Sequence, residues 1–185
     1  MALKEILKEP NEMLRQKSLP VEKVDEELQK LMNDMLETMY AASGIGLAAI
    51  QVGVQKRVIV MDISKKEGEK NPIFFVNPEI IKKSNTNSTY EEGCLSVPGQ
   101  FAEIDRPDKC FVKYLDFHGA KKEIKAEGML ATCIQHEIDH LEGILFIDYL
   151  SKLKKTMIIK KALITLIILN YTKKRVRLSL LFQAF

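Results

Sequence analysis

The chain has 185 residues, 46% hydrophobic and 29% charged, with a net charge of +3, which excludes a disordered chain and suits one globular domain. Three scattered cysteines, Cys94, Cys110 and Cys133, exclude a disulfide framework. The opening Met-Ala-Leu-Lys-Glu lacks a secretory pattern, so a reducing cytoplasm is the expected home. The charge is uneven. Positions 151–185 carry nine Lys or Arg and no Asp or Glu, leaving 19 basic against 25 acidic residues before them. A polyanion, RNA or an acidic membrane, would therefore meet the tail; a solvated basic face is the plain alternative.

Asp25 opens a helical pattern in which Leu28, Leu31, Met32, Met35, Leu36 and Met39 recur until Ser43-Gly44 stops it. Positions 57–63 read as a buried strand, and a polar turn at 65–71 separates it from a second run over 73–81. Positions 82–89 read as a surface loop. The runs 110–117 and 121–127 flank His118-Gly119 as a hairpin. Gly128 precedes a helix over 129–141, which Glu142-Gly143 ends. The apolar run 162–169 is too short for a bilayer span and predicts a terminal helix on the body or at an interface. The order of elements predicts an α+β fold: antiparallel or mixed β-sheets around one central helix, with an N-terminal and a C-terminal helix.

The central helix carries the chemistry. Gln135-His136-Glu137-Ile138-Asp139-His140 is an HExxH motif that uses two of the chain's three histidines. Spaced by four, both imidazoles leave one helix face and can meet one ion, with Glu137 beside them to act on a bound water. A catalytic site needs a third protein ligand. Cys133 shares the face but lies roughly 7–8 Å along the axis from the midpoint, too far for a short thiol, and reads as pocket wall. Cys110 sits in an apolar strand pattern and reads as a buried hydrophobe. Asp, Glu or Cys94 remain; Cys94 lies among glycines at 91–99, where a Gly-rich turn with a buried Cys is an equally good reading.

Gly44 to Gln51 mimics a dinucleotide fingerprint. The context is inverted, with a helix before and a strand after, so no dinucleotide is expected. Those glycines suit close approach of backbone to a substrate, with Gln51 as an uncharged donor.

Together, GIGLAAIQ (44–51), EGCLS (92–96) and QHEIDH (135–140) resemble the peptide deformylase family over about residues 3–160. The resemblance implies a metal-dependent hydrolase that takes formyl from the N-terminal formyl-methionine of nascent chains, releasing formate. It implies Cys94, His136 and His140 as metal ligands, Glu137 as acid/base, Gln51 and the Leu95 amide as stabilisers of the oxyanion, and Gly46 as a further residue of the catalytic set. Ile45, Gly93, Met129 and Cys133 would form the methionine pocket. It implies Fe2+ as the physiological ion, with Zn2+, Ni2+ or Co2+ able to substitute, and ribosome docking through a basic C-terminal helix. The catalytic domain is expected over 1–161, with 162–185 an atypical basic and apolar extension. Phe101 stands where some members carry Arg. A metallo-endopeptidase and a non-catalytic ribosome- or membrane-binding module are the competing readings.

Overall fold

The structure, a computed structural model, describes residues 2–64 and 69–182, with side chains described as far as 168. Part of the turn expected at 65–71 and the side chains at the end of the tail lie outside the described residues. Helix α1 (Glu26–Ala41) begins where Asp25 accepts a hydrogen bond from the Leu28 amide at 2.9 Å, one of the N–H groups a helix start leaves orphaned. It is followed by β1 (Gly46–Ala48), a 3-10 turn (Ala49–Val52), β2 (Val58–Met61) and β3 (Ile73–Lys83). Then come β4 (Asn87–Cys94), β5 (Val97–Pro107), β6 (Lys109–Leu115) and β7 (Lys121–Glu127). Helix α2 (Met129–Leu141), a 3-10 turn (Phe146–Tyr149) and helix α3 (Lys152–Phe182) complete the order, and a further 3-10 turn (Glu12–Arg15) precedes α1.

Five strands form one antiparallel sheet in the order β1-β2-β3-β6-β7, while β4 and β5 pair only with each other. Strand β2 explains the core. Its alternate residues Val58 and Val60 face α1, packing with Leu28, Met32, Met35 and Met39, while Ile59 and Met61 face α2, packing with Ile134 and Ile138. A strand covered on both faces needs an unbroken apolar run, and Val-Ile-Val-Met supplies it. Each such buried side chain contributes about 1.5–3 kcal/mol of transfer free energy.

Helix α2 occupies the predicted positions, and Gly143 closes it in the left-handed region at φ 74°. The hairpin at His118-Gly119 also forms where expected, with Gly119 at φ 82° and the Asp116 carboxylate accepting from the His118 and Ala120 amides. Positions 82–89 correct the loop expectation. Strand β3 runs through Lys83 and β4 starts at Asn87, leaving a three-residue connection. Polar side chains hide this strand, since its pairing with β5 satisfies the backbone while Asn87, Thr89 and Glu91 point to solvent. The segment around Cys94 is likewise mostly regular, a hairpin with a register shift between Gly93 and Cys94.

Helix α3 is longer than the run 162–169. Ile158, Ile159 and Ala162 pack with Val97, Ile104 and Phe146 in a third core that seats the helix on the β4-β5 hairpin. Among the described residues, no helix is long and apolar enough to cross a membrane.

Candidate metal centre

Two helical histidines and one hairpin cysteine converge. The ligand atoms of Cys94, His136 and His140 all lie within 4.8 Å of one another, and Cys94 Sγ is 3.2 Å from His140 Nε2. The spacing of four in α2 brings the imidazole rings to 5.0 Å between centroids, and the shift after Gly93 turns Cys94 towards them. His140 is completely buried and His136 nearly so. Cys133 stands apart from these donors, its Sγ 4.0 Å from the Ile45 carbonyl, and burial pushes its thiol up. Cys110 is fully buried in the sheet.

The residues fit a metal on two counts. One thiolate with two imidazoles is a donor set of mixed softness suited to first-row divalent ions. His136 donates from Nδ1 to the Glu92 carboxylate at 2.7 Å, which leaves Nε2 for the ion and fixes the ring. Burial, then the charges of His136 and Arg106, holds His140 well below the usual histidine range, so it stays a neutral lone-pair donor. Burial acts downward on His136 too, but its hydrogen bonds to Cys94 and Glu92 outweigh it and the net shift is upward.

Glu137 lies beside this cluster. Burial is the main cause that raises its carboxyl to about 7, and one carboxylate oxygen, Oε2, has no partner. A carboxyl raised to near neutrality with an unpartnered oxygen suits proton transfer there. Its close neighbour is Gly46, where an added Cβ would fall 2.4 Å from Glu137 Oε1; only glycine lets the β1 backbone approach so near.

Gln51 is pinned on the other wall. Its Oε1 accepts from the Ala48 amide at 2.8 Å, turning the NH2 group to Ser96 Oγ at 3.1 Å and Cys94 Sγ at 3.6 Å. Gln51 and Cys94 line a cavity of about 520 Å³, open to solvent, with Ile45, Gly46, Gly93, Leu95, Met129, Cys133, His136 and Glu137 also on its walls. The structure thus brings every expected site residue together. His140 alone is not on the cavity wall; it lies behind Cys94 and His136. Phe101 is 63% exposed at the cavity, its ring covering Gly93, and Lys8 reaches the same wall and donates to the Leu95 carbonyl.

A layer behind the cluster carries residues to which the sequence reading attached no role. Arg106, 3% exposed, grips both oxygens of Glu92, at 2.5 Å from Nε and 3.0 Å from Nη2, and reaches Asp139 at 2.7 Å. Tyr149 donates to the same Asp139 oxygen at 2.8 Å, and the guanidinium lies 4.8 Å from its ring centroid. Glu92 sits inside a quoted motif; Arg106 stands in a strand whose alternation gives no sign of burial, so only the fold reveals it.

Residues 3–156 match the family model described as polypeptide deformylase. The chain belongs to the polypeptide deformylase family. It is 68% identical over 161 residues to the peptide deformylase of Pelagibacter ubique strain HTCC1062, covering 87% of this chain and 94% of that one. With the Phenylobacterium zucineum peptide deformylase the identity is 60%, covering 87% and 95%. The crystal structure of the Ehrlichia chaffeensis peptide deformylase in complex with actinonin superposes with a TM-score of 0.82 at 47% identity, covering 87% of this chain and 96% of that one. A Legionella pneumophila peptide deformylase gives 0.81 at 47%, covering 95% and 98%. Like its family, this chain is a metal-dependent enzyme that removes the N-terminal formyl group from nascent peptides.

Proposed function

We propose that Cys94, His136 and His140 hold the divalent ion of this deformylase, that Glu137 moves the proton, and that Gln51 and the Leu95 N–H receive the charge on the formyl oxygen. The observation that carries the reading is the approach of one thiol and two imidazoles within 4.8 Å beside a buried carboxyl raised to about 7. Bound there, a divalent metal lowers the pKa of water and polarises the formyl carbonyl. Glu137 takes a proton from the attacking water and hands it to the departing amine, completing formate and a free N-terminus. Gln51 is oriented by Ala48 so that its NH2 lies beside Cys94 and Ser96, where the N–H directed at the thiol can turn to the formyl oxygen, and Gly46 leaves room for Glu137 to act. Ile45, Gly93, Met129 and Cys133 give the formyl-methionine side chain an apolar wall.

Fe2+ is the ion we assign as physiological, with Zn2+, Ni2+ and Co2+ as substitutes; the mixed thiolate and imidazole set supports a first-row ion. We assign the reaction to the cytoplasm, where nascent chains arise and free thiols such as Cys94 persist. Residues 1–161 form the catalytic unit in this reading and 162–185 an extension, joined by α3, which runs unbroken across that boundary. A ribosome contact through the basic tail has charge alone in its favour.

The test is anaerobic formate release from formyl-Met-Ala-Ser by iron-loaded protein. The variant Glu137→Ala is expected to lose turnover while keeping its metal, read by elemental analysis. Undiminished turnover in that variant would remove Glu137 from its role.

A further inference from the structure

Helix α3 has two apolar faces, and the body covers one. Ile158, Ile159 and Ala162 turn inward to the third core, and Thr165 Cγ2 lies 3.9 Å from where a Cβ on Gly99 would stand. On the other side Leu153, Met157, Ile164 and Ile167 are 72%, 50%, 57% and 68% exposed. At about 100° per residue these four fall within an arc of roughly 80°. Lys160 projects among them, and Lys154 and Lys161 flank one edge, all three exposed. Of the lysines at 152–161, Lys155 pairs with Asp148, and no acidic residue occurs anywhere in 151–185.

An aliphatic stripe set in lysines suits few partners. RNA would take the lysines and leave the stripe in water. A second copy of α3 would cover the stripe but bring lysine against lysine. An anionic bilayer answers both: aliphatic side chains enter below the headgroups while lysine stems reach up to the phosphates. Among the described residues no helix is long and apolar enough to cross a membrane, so the contact at issue is an interfacial one.

We propose that α3 is an interfacial anchor, lying on an anionic phospholipid surface through Leu153, Met157, Ile164 and Ile167 with Lys154, Lys160 and Lys161 on the headgroups. The hairpin beneath α3 also walls the catalytic cavity, since Pro98 and Gly99 line it. The anchor therefore fixes the active site beside the membrane. This goes beyond the deformylation reading and stands or falls separately from it.

The test is co-sedimentation of the full chain with phosphatidylcholine vesicles containing about 30% phosphatidylglycerol. The protein is expected to pellet with them, and to bind at least about tenfold more weakly to phosphatidylcholine alone or in about 0.5 M salt. The double variant I164E/I167E is expected to lose at least about tenfold in vesicle affinity with unchanged turnover of a soluble formyl-methionyl peptide. Should that variant fail to fold, K160E/K161E tests the electrostatic half and is expected to show the same loss on anionic vesicles. Failure to pellet with anionic vesicles overturns the proposal, as does binding that the folded variants leave unchanged. Ribosome pelleting lost in K160E/K161E but kept in I164E/I167E, without vesicle binding, assigns the helix to RNA instead. A concentration-dependent dimer abolished by I164E/I167E, again without vesicle binding, assigns it to a second copy.

Discussion

His136 Nδ1 lies 2.7 Å from a Glu92 carboxylate oxygen, so the imidazole is aimed before any ion arrives. A carboxylate behind a histidine ligand fixes its tautomer and raises its basicity. Glu92→Ala is expected to weaken metal binding by about 10–100-fold. Chelator competition followed by Co2+ absorption measures this; an unchanged affinity would show that Glu92 does not orient the ligand.

Arg106 neutralises that carboxylate from a site almost without solvent. Removing it takes away the guanidinium that grips both Glu92 oxygens and leaves the buried carboxylate with His136 as its one remaining partner among the described residues, so less opposes the upward push of burial. Arg106→Leu is expected to lower unfolding free energy by about 3–5 kcal/mol, the cost of breaking a buried pair from one side. Urea denaturation of metal-free protein reads the change, and a loss below about 1 kcal/mol would place the pair with weak surface bridges.

Gly46→Ala puts a methyl 2.4 Å from Glu137 Oε1, so the carboxylate must move. A displacement of about 1 Å at a reacting group can cost about 10²-fold, and kcat is expected to fall by that order. Metal content should change far less, because the three donors do not move, and KM should change less than kcat because Ile45, Met129 and Cys133 stay in place. Steady-state kinetics on formyl-Met-Ala-Ser with metal analysis separate the two effects.

Asp148 joins the body to the start of α3. Burial raises its carboxyl, but hydrogen bonds from Lys155 and the Leu145 amide, then the charge and hydrogen bond of Arg15, outweigh it and hold it below the usual range. A folded-state pKa below the unfolded one stabilises above the unfolded value, near pH 4, and that contribution is lost as pH falls through the folded value. Asp148→Asn is therefore expected to melt below wild type at pH 7, with the two curves converging as pH drops below about 4. A melting difference that stays constant down to acid pH would assign the effect to shape rather than charge.

Legibility in the sequence followed burial. Helix α1 and strand β2 face apolar partners, so periodicity marks them, and α2 combines that signal with histidines spaced to share an ion. Strand β4 escaped because a two-stranded hairpin with a wet face needs little apolar alternation, and Asn87-Ser88-Thr89 looks like a turn. The HExxH spacing reaches two donors through helical geometry. The third donor lies 42 residues before the first histidine, and no local rule links them: Cys94 enters through its motif, and only tertiary structure carries it to α2. Arg106 and Tyr149 had no local signal at all, because their importance comes from the buried carboxylates that folding puts beside them.

The β4-β5 hairpin shares no strand with the main sheet, yet it supplies one donor of the cluster while α2 supplies two. Each half can form from contacts local in the chain, the hairpin across a two-residue turn and the helix within itself. Neither half alone offers three donors. Ion capture therefore reports the late docking of the hairpin onto α2 rather than the formation of either element. In a refolding experiment, affinity for metal should appear after secondary structure is complete and together with the burial of Arg106.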